Sequence, residues 1–178
     1  MLAAEWTTPK TGRIPARLVF TTGDDPYQWL IRFGSGSPTS HVAIALGPQG
    51  EWLLHAHEDG IQINPRRNWL GITERLVAEF LILPDVTDGI KNMLSYVGEP
   101  YDVPIDVMTL RLLHFLGSPL HRWVAKRKND RSQMCARFVL ELDPFGAKIP
   151  EWQHIDPATV SPDDLLQAAV GPSFIRIA

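Results

Sequence analysis

Two apolar runs, Ser40 to Leu46 and Trp52 to His57, flank the turn-forming residues Gly47-Pro48-Gln49-Gly50. Short alternating runs on either side of a Gly/Pro turn specify a β-hairpin. Side chains alternate faces along a strand, so His41, Ala43 and Ala45 share one face while Val42, Ile44 and Leu46 take the other. On the partner strand Leu53, His55 and His57 alternate with Trp52, Leu54 and Ala56. With a turn centred near Gln49, an even pairing register sets His55 or His57 across from His41. The hairpin thus gathers imidazoles on one face and branched aliphatics on the other. The small Ala43 and Ala45 leave room beside His41 for a helix, a ligand or another side chain.

Around this hairpin the chain reads as a mixture of strands and helices. Arg17 to Thr22 predicts a strand, and Asp24-Asp25-Pro26 opens a short helix from Tyr27 to Phe33 that Gly34-Ser35-Gly36-Ser37-Pro38 ends. Ile61 to Ile63 and Leu76 to Leu83 predict further strands. Thr87-Asp88 caps a helix to Val97, with Ile90, Met93, Leu94 and Val97 on one face, and Gly98-Glu99-Pro100 closes it. Val103 to Lys126 is helical in pattern with a break at Gly117-Ser118-Pro119. Ser161-Pro162-Asp163-Asp164 is a helix start, and Phe174 to Ile177 predicts a closing strand. No repeat or low-complexity segment interrupts residues 1–178. The expectation is one α+β domain with a small antiparallel sheet packed against helices.

With 178 residues of which 44% are hydrophobic, the chain is long enough for a real core. A net charge of −3 gives no basic footprint for nucleic acid, and the local run Lys126-Arg127-Lys128 to Arg131 reads as a solvated loop. Met1 to Lys10 lacks the apolar region and cleavage site of a secretory signal. The most apolar run, Leu110 to Leu116, is interrupted by Arg111 and His114 and falls short of the roughly 18 residues that span a bilayer. A protein cytoplasmic as synthesised is expected, any export following another route. One cysteine excludes an intramolecular disulfide framework. The six tryptophans read as core anchors, with a groove-lining role in an interaction module as the alternative.

That cysteine, Cys135, lies in Ser132-Gln133-Met134-Cys135-Ala136-Arg137-Phe138-Val139, where a polar capping residue precedes an apolar run that stops near Asp143-Pro144. The pattern places the thiol in the first turn of a helix. Backbone N–H groups there favour the thiolate, lowering a cysteine pKa from about 8.5 towards roughly 3.5–7.5 when a cation is near. Three readings of the imidazoles follow. His41 is a general base for Cys135, held in orientation by a second histidine; or His41, His55 and His57 bind zinc, with Glu58 and Asp59 behind them; or all three are ordinary hydrogen-bonded residues at a sheet edge.

The segments Ser40-His41-Val42-Ala43-Ile44-Ala45-Leu46-Gly47, Leu53-Leu54-His55-Ala56 and Gly60-Ile61-Gln62-Ile63 resemble the histidine half of the NlpC/P60 cysteine peptidase superfamily. Cys135 follows the histidines rather than preceding them, an order that resembles the circularly permuted branch, which includes YiiX/YaeF-like and lecithin–retinol acyltransferase-like proteins. Gly98-Glu99-Pro100-Tyr101-Asp102 and Ser161-Pro162-Asp163-Asp164-Leu165 resemble further segments of that branch. The resemblance runs from Arg17 to Leu166. It implies a permuted papain-like fold, Cys135 as nucleophile, His41 as base and His55 as third member of a triad, with no cofactor or metal. Two features depart from the branch: Cys135-Ala136-Arg137 stands where Cys-Ser-Glu is common, and His57 is an extra imidazole and an alternative orienting residue.

The chemistry expected on this reading is acyl transfer on a peptide, amide or acyl substrate: hydrolysis of an amide bond, with cell-wall peptide as the implied target. A lipid thioesterase or acyltransferase is the alternative within enzymes, and a non-catalytic or zinc-binding domain the alternative outside them. The Cys135 N–H is the expected oxyanion donor. Gln133 and Tyr101 are candidates for a second donor.

Overall fold

The computed structural model describes residues 12–24, 28–29, 32, 37–57, 60–72, 74–99, 135–157 and 160–178. Among these residues six strands form one antiparallel sheet: β1 (Ala16–Thr22), β2 (His41–Leu46), β3 (Trp52–His57), β4 (Gly60–Pro65), β5 (Arg75–Ile82) and β6 (Phe174–Arg176). Their order across the sheet is β4-β3-β2-β1-β5-β6. The helices bounded among the described residues are α1 (Arg66–Trp69), α2 (Thr87–Leu94), α3 (Cys135–Leu140) and α4 (Pro162–Ala168), with a 3-10 turn at Pro150–Trp152. The fold is therefore α+β, as the strand and helix patterns predict. No described helix is long and apolar enough to cross a membrane.

The hairpin forms as expected, pairing Ile44 with Leu54, Ala45 with Leu53 and Leu46 with Trp52. Its alternation gives the sheet two unlike faces. On one, Leu18, Phe20, Val42, Ile44, Leu54, Ala56, Phe80 and Ile82 are buried in the main apolar cluster with Phe138 and Val139 of α3 and Leu165 of α4. Helix α3 packs directly on β2 and β3. The opposite face carries a smaller cluster of Val19, Ala43, Ala45, Leu53 and Trp69.

Several boundaries differ from expectation, each for a local reason. Thr87 is the first residue of α2 rather than its cap, because its hydroxyl accepts the Ile14 N–H at 2.9 Å while Asp85 Oδ1 accepts the Thr87 N–H at 3.0 Å. That helix ends at Leu94, and turns carry the chain to Gly98, whose φ of 91° favours glycine. Gly98 N and Glu99 O then bond Ile61 O and N at 2.9 and 3.0 Å, extending the order of β4. Helix α3 stops at Leu140, but 3-10-type bonds from Glu141, Leu142 and Asp143 continue its turn to Asp143. There the Asp143 carboxylate accepts the N–H groups of Ala147, Lys148 and Ile149. Gly89 of α2 lies so close to the Leu142 carbonyl that a Cβ would overlap it. Ser161 caps α4 as expected, in a reciprocal capping box with Asp164. Helix α1 and the 3-10 turn have no counterpart in the sequence reading.

Gln28, Trp29 and Arg32 are helical, in agreement with the Tyr27–Phe33 expectation, whose other residues lie outside those described. The expected helix over 103–126, the basic run and the Ser132 cap also lie outside.

One ion cluster crosses the smaller face. Glu79 of β5, its side chain 5% exposed, accepts both Nη groups of Arg66 at 2.8 and 2.7 Å and Arg17 Nη1 at 3.1 Å. The Arg66 hydrogen bonds, more than any other contact, hold the Glu79 carboxyl below the usual carboxylate range against the opposing effect of its burial. Removing one partner of a buried, hydrogen-bonded ion pair leaves uncompensated charge. Glu79→Gln is therefore expected to lower the unfolding free energy by about 3 kcal/mol, the low end for such pairs because both arginines are partly solvated. Urea titration measures this, and a loss below about 1 kcal/mol would show the cluster to act as an ordinary surface pair.

Candidate functional site

The three histidines of the hairpin meet as its alternation requires. Continuing the observed β2–β3 register sets His57 opposite His41 and His55 diagonal to it. His41 and His55 approach most closely, with Nε2 of His41 3.2 Å from Nδ1 of His55 and ring centroids 5.3 Å apart. His57 stands 6.2 Å from His41 and 6.0 Å from His55, centroid to centroid. Opposite His57 across the β3–β4 ladder is Gly60, which puts no side chain there and takes a φ of 111° at the turn into β4.

Trp69 covers the cluster. Its ring lies 4.4 Å from His55, 4.8 Å from His57 and 6.0 Å from His41, with edge-on contacts to His55 and His57. Trp69 ends α1, the helix whose first residue, Arg66, is bound to Glu79. The ion cluster thus fixes the helix that places the indole against the imidazoles. On the far side, Asn64 Nδ2 approaches His55 Nε2 at 3.1 Å and Gln62 Oε1 at 3.0 Å. Gln62 and Asn64 are alternate residues of β4, paired with His55 and Leu53, and so share their face.

The start of β2 is held by a separate polar network. Thr39 Oγ1 donates to Thr21 O at 2.8 Å, and Ser40 N donates to the same carbonyl at 3.0 Å. Ser40 Oγ donates to Gln28 Oε1 at 2.6 Å, and Gln28 Nε2 donates to Glu74 Oε1 at 2.9 Å. Thr21, the cross-strand partner of His41, donates its hydroxyl to Glu74 Oε2. The Glu74 carboxylate is buried within these bonds. His41 therefore begins its strand on a backbone that cannot easily shift.

Cys135, which forms no disulfide, is buried as the first residue of α3. It belongs to the apolar cluster on the Val42 and Ile44 face, whereas the three imidazoles stand with Trp69 on the Ala43 and Ala45 face. The structure thus brings His41, His55 and His57 together and places the cysteine helix on the same two strands from the other side. Tyr101 and Gln133, the candidate oxyanion donors, lie outside the described residues.

Sequence reasoning missed Trp69 and Asn64. The only signal for Asn64 was the polar alternation Gln62-Ile63-Asn64, which reads equally as a solvent face. Trp69 had no local signal, since the contact that places it is the ion pair from Arg66 to a strand 13 residues later.

Burial dictates the charge of the site. His55 is fully buried, and desolvation first, then repulsion from His57, lowers its pKa from 6.5 to about 3. Desolvation, then His55 and His57, also lower His41 well below 6.5. Both rings are neutral at pH 7, and a neutral pair shares one hydrogen bond without repulsion. Their facing nitrogens are directed at each other rather than at a common third point. Among the described residues no three His, Cys, Asp or Glu side chains are arranged to hold a metal ion.

Neutral burial makes the fold acid-labile. The unfolded chain protonates both residues below about pH 6.5, while the folded chain resists protonation of His55 down to about pH 3. The unfolded state therefore binds more protons throughout this window. The stabilisation is fully present above about pH 6.5 and is lost as pH falls, by up to about 1.4 kcal/mol per pH unit for each ring. Urea unfolding between about pH 7.5 and 5 should show this slope, and His55→Gln should make it shallower. Parallel slopes for the two proteins would count against buried neutral histidine as the cause.

No protein-family model matches the chain, and no curated protein matches it either.

Proposed function

We propose that the chain is a cysteine hydrolase on a permuted papain-like, NlpC/P60-type scaffold, cleaving amide bonds with Cys135 as nucleophile and His41 as general base. The observation that carries the reading is the buried, neutral His41–His55 pair, joined Nε2 to Nδ1 at 3.2 Å. A base held through one ring nitrogen by a second polar side chain has its other nitrogen oriented for proton transfer. For His41 that other nitrogen is Nδ1, which accepts a proton when the imidazole's own hydrogen is on Nε2. His55 is then a positioning residue. Helix α3 packs on β2 and β3, the strands that hold the pair, from the opposite face of the sheet.

In this reaction the Cys135 thiol gives its proton to His41 Nδ1 and the sulfur attacks the carbonyl carbon. The tetrahedral intermediate collapses to a thioester as the leaving amine takes the proton from His41. Water then gives a proton to His41 while its oxygen bonds the acyl carbon, and the carboxylic acid leaves as the thiol is restored. The reading requires the thiol and His41 Nδ1 to meet at the His41 end of β2. It does not depend on the leaving group, so an ester or thioester of a lipid is the competing substrate class. Turnover of matched amide and ester substrates separates the two.

The decisive measurement is the rate at which iodoacetamide alkylates Cys135 at neutral pH, with circular dichroism to confirm folding. Unfolding controls are run alongside. Removing the base should slow alkylation by at least about tenfold in His41→Ala, since the thiolate is the reactive form. His55→Gln should lie between wild type and His41→Ala. An alkylation rate that is the same in folded His41→Ala and wild type would sink the proposal.

A further inference from the structure

The proton on the imidazole pair has a direction, and the residue that sets it is Asn64. In a neutral pair only one of the two facing nitrogens, His41 Nε2 or His55 Nδ1, carries hydrogen. Which one is decided at the other end of His55. With its amide nitrogen towards His55, as in the structure, Asn64 donates to His55 Nε2 and to Gln62 Oε1. His55 must then carry its proton on Nδ1 and donate to His41 Nε2. That leaves the His41 proton on Nδ1, where no lone pair is available to take a proton from a thiol.

Turning the two amides reverses the chain. If Asn64 presents Oδ1 to His55 and Gln62 presents its own amide nitrogen to Asn64, His55 donates from Nε2 and accepts at Nδ1. His41 then donates from Nε2 and its Nδ1 holds a lone pair. An amide can turn about its last bond with almost no change in shape. The same reversed order is the only one that fits a doubly protonated His41, because His55 Nδ1 must then accept.

We infer that Asn64 is a positioning residue for His41: through His55, the orientation of its amide selects which nitrogen of His41 carries the proton, and the base-competent state has Asn64 Oδ1 facing His55. The catalytic meaning of this selection rests on the hydrolase reading above. The tautomer itself does not.

Asn64→Asp offers only acceptor oxygens and fixes the reversed order; Asn64→Leu keeps the approximate volume and removes both orders. The first measurement is the nitrogen-15 NMR spectrum of the imidazoles in a Cys135→Ala background, where no thiol contributes. His41 is expected to carry its proton on Nδ1 with asparagine at position 64 and on Nε2 with aspartate. The second is alkylation of Cys135 in the otherwise native chain, which should be faster in Asn64→Asp and slower in Asn64→Leu, each by about tenfold. If the His41 tautomer is the same with asparagine and aspartate at position 64, the inference is overturned, even where alkylation still depends on His41. If the tautomer changes but alkylation responds to neither Asn64 nor His41, the inference holds and the hydrolase reading falls. Should Asn64→Leu fail to fold, the Asn64→Asp comparison decides alone.

Discussion

The carboxylate of Glu79 ties the sheet to the site. It sits on β5, receives Arg17 from β1 and takes both guanidinium arms of Arg66 from α1. A one-turn helix has almost no stability of its own, since nucleation costs more than a single turn returns. Helix α1 is therefore held by what its ends touch. Arg66 anchors it to Glu79, and Trp69 completes it by lying over His55 and His57. The low polarity around the imidazoles thus depends on an ion pair formed one helical turn away. An electrostatic contact and a desolvated site, normally opposed, are here parts of one device.

The second organising fact is that the sheet has two unlike faces. One is dry and takes α3 and α4 in a continuous core. The other changes character along its strands, from the arginine–glutamate cluster through Ala43, Ala45 and Leu53 to the imidazoles and the Thr21–Glu74–Gln28 network. Small residues at 43 and 45 matter on this second face: with larger ones the indole of Trp69 could not approach the sheet beside His41. Polar groups buried in this way need complete hydrogen bonding. The His41–His55–Asn64–Gln62 chain engages both ring nitrogens of His55 and Nε2 of His41 without introducing a charge.

Much of this was legible in the residues themselves because the signals were local. The Gly47–Gly50 turn and the alternation on either side of it determined both the hairpin and the face of each histidine. The Ser161 to Asp164 sequence contained its capping box in full. What was not legible depends on distant partners. Thr87 looks like a cap until Ile14 claims its hydroxyl, and Trp69 looks like a core anchor until Arg66 meets Glu79. The face on which Cys135 lies follows from how α3 packs, which no spacing near the cysteine specifies. The alternation of β4 identified a polar face but could not say that one of its residues would hydrogen-bond His55.

The strand order has a further consequence for how the molecule is made. Strands β1 to β5, with α1 between β4 and β5, span residues 16–82, so Glu79, both its arginines, the three imidazoles and Trp69 are all present before any residue of α3 is synthesised. The dry face is covered in stages: Val86, Ile90 and Met93, at and within α2, follow directly after β5, residues 135–140 and 162–168 come later, and the edge strand β6 comes last of all. During translation the aliphatic side of Val42, Ile44 and Leu54 therefore waits for α3, which packs on β2 and β3, while the polar side can already close. Exposed apolar surface of this kind is where nascent chains aggregate or recruit chaperones. The vulnerable interval in the life of this protein is the one before Cys135 to Leu140 are made, when the chemistry-bearing face can assemble and the structural core still lacks α3.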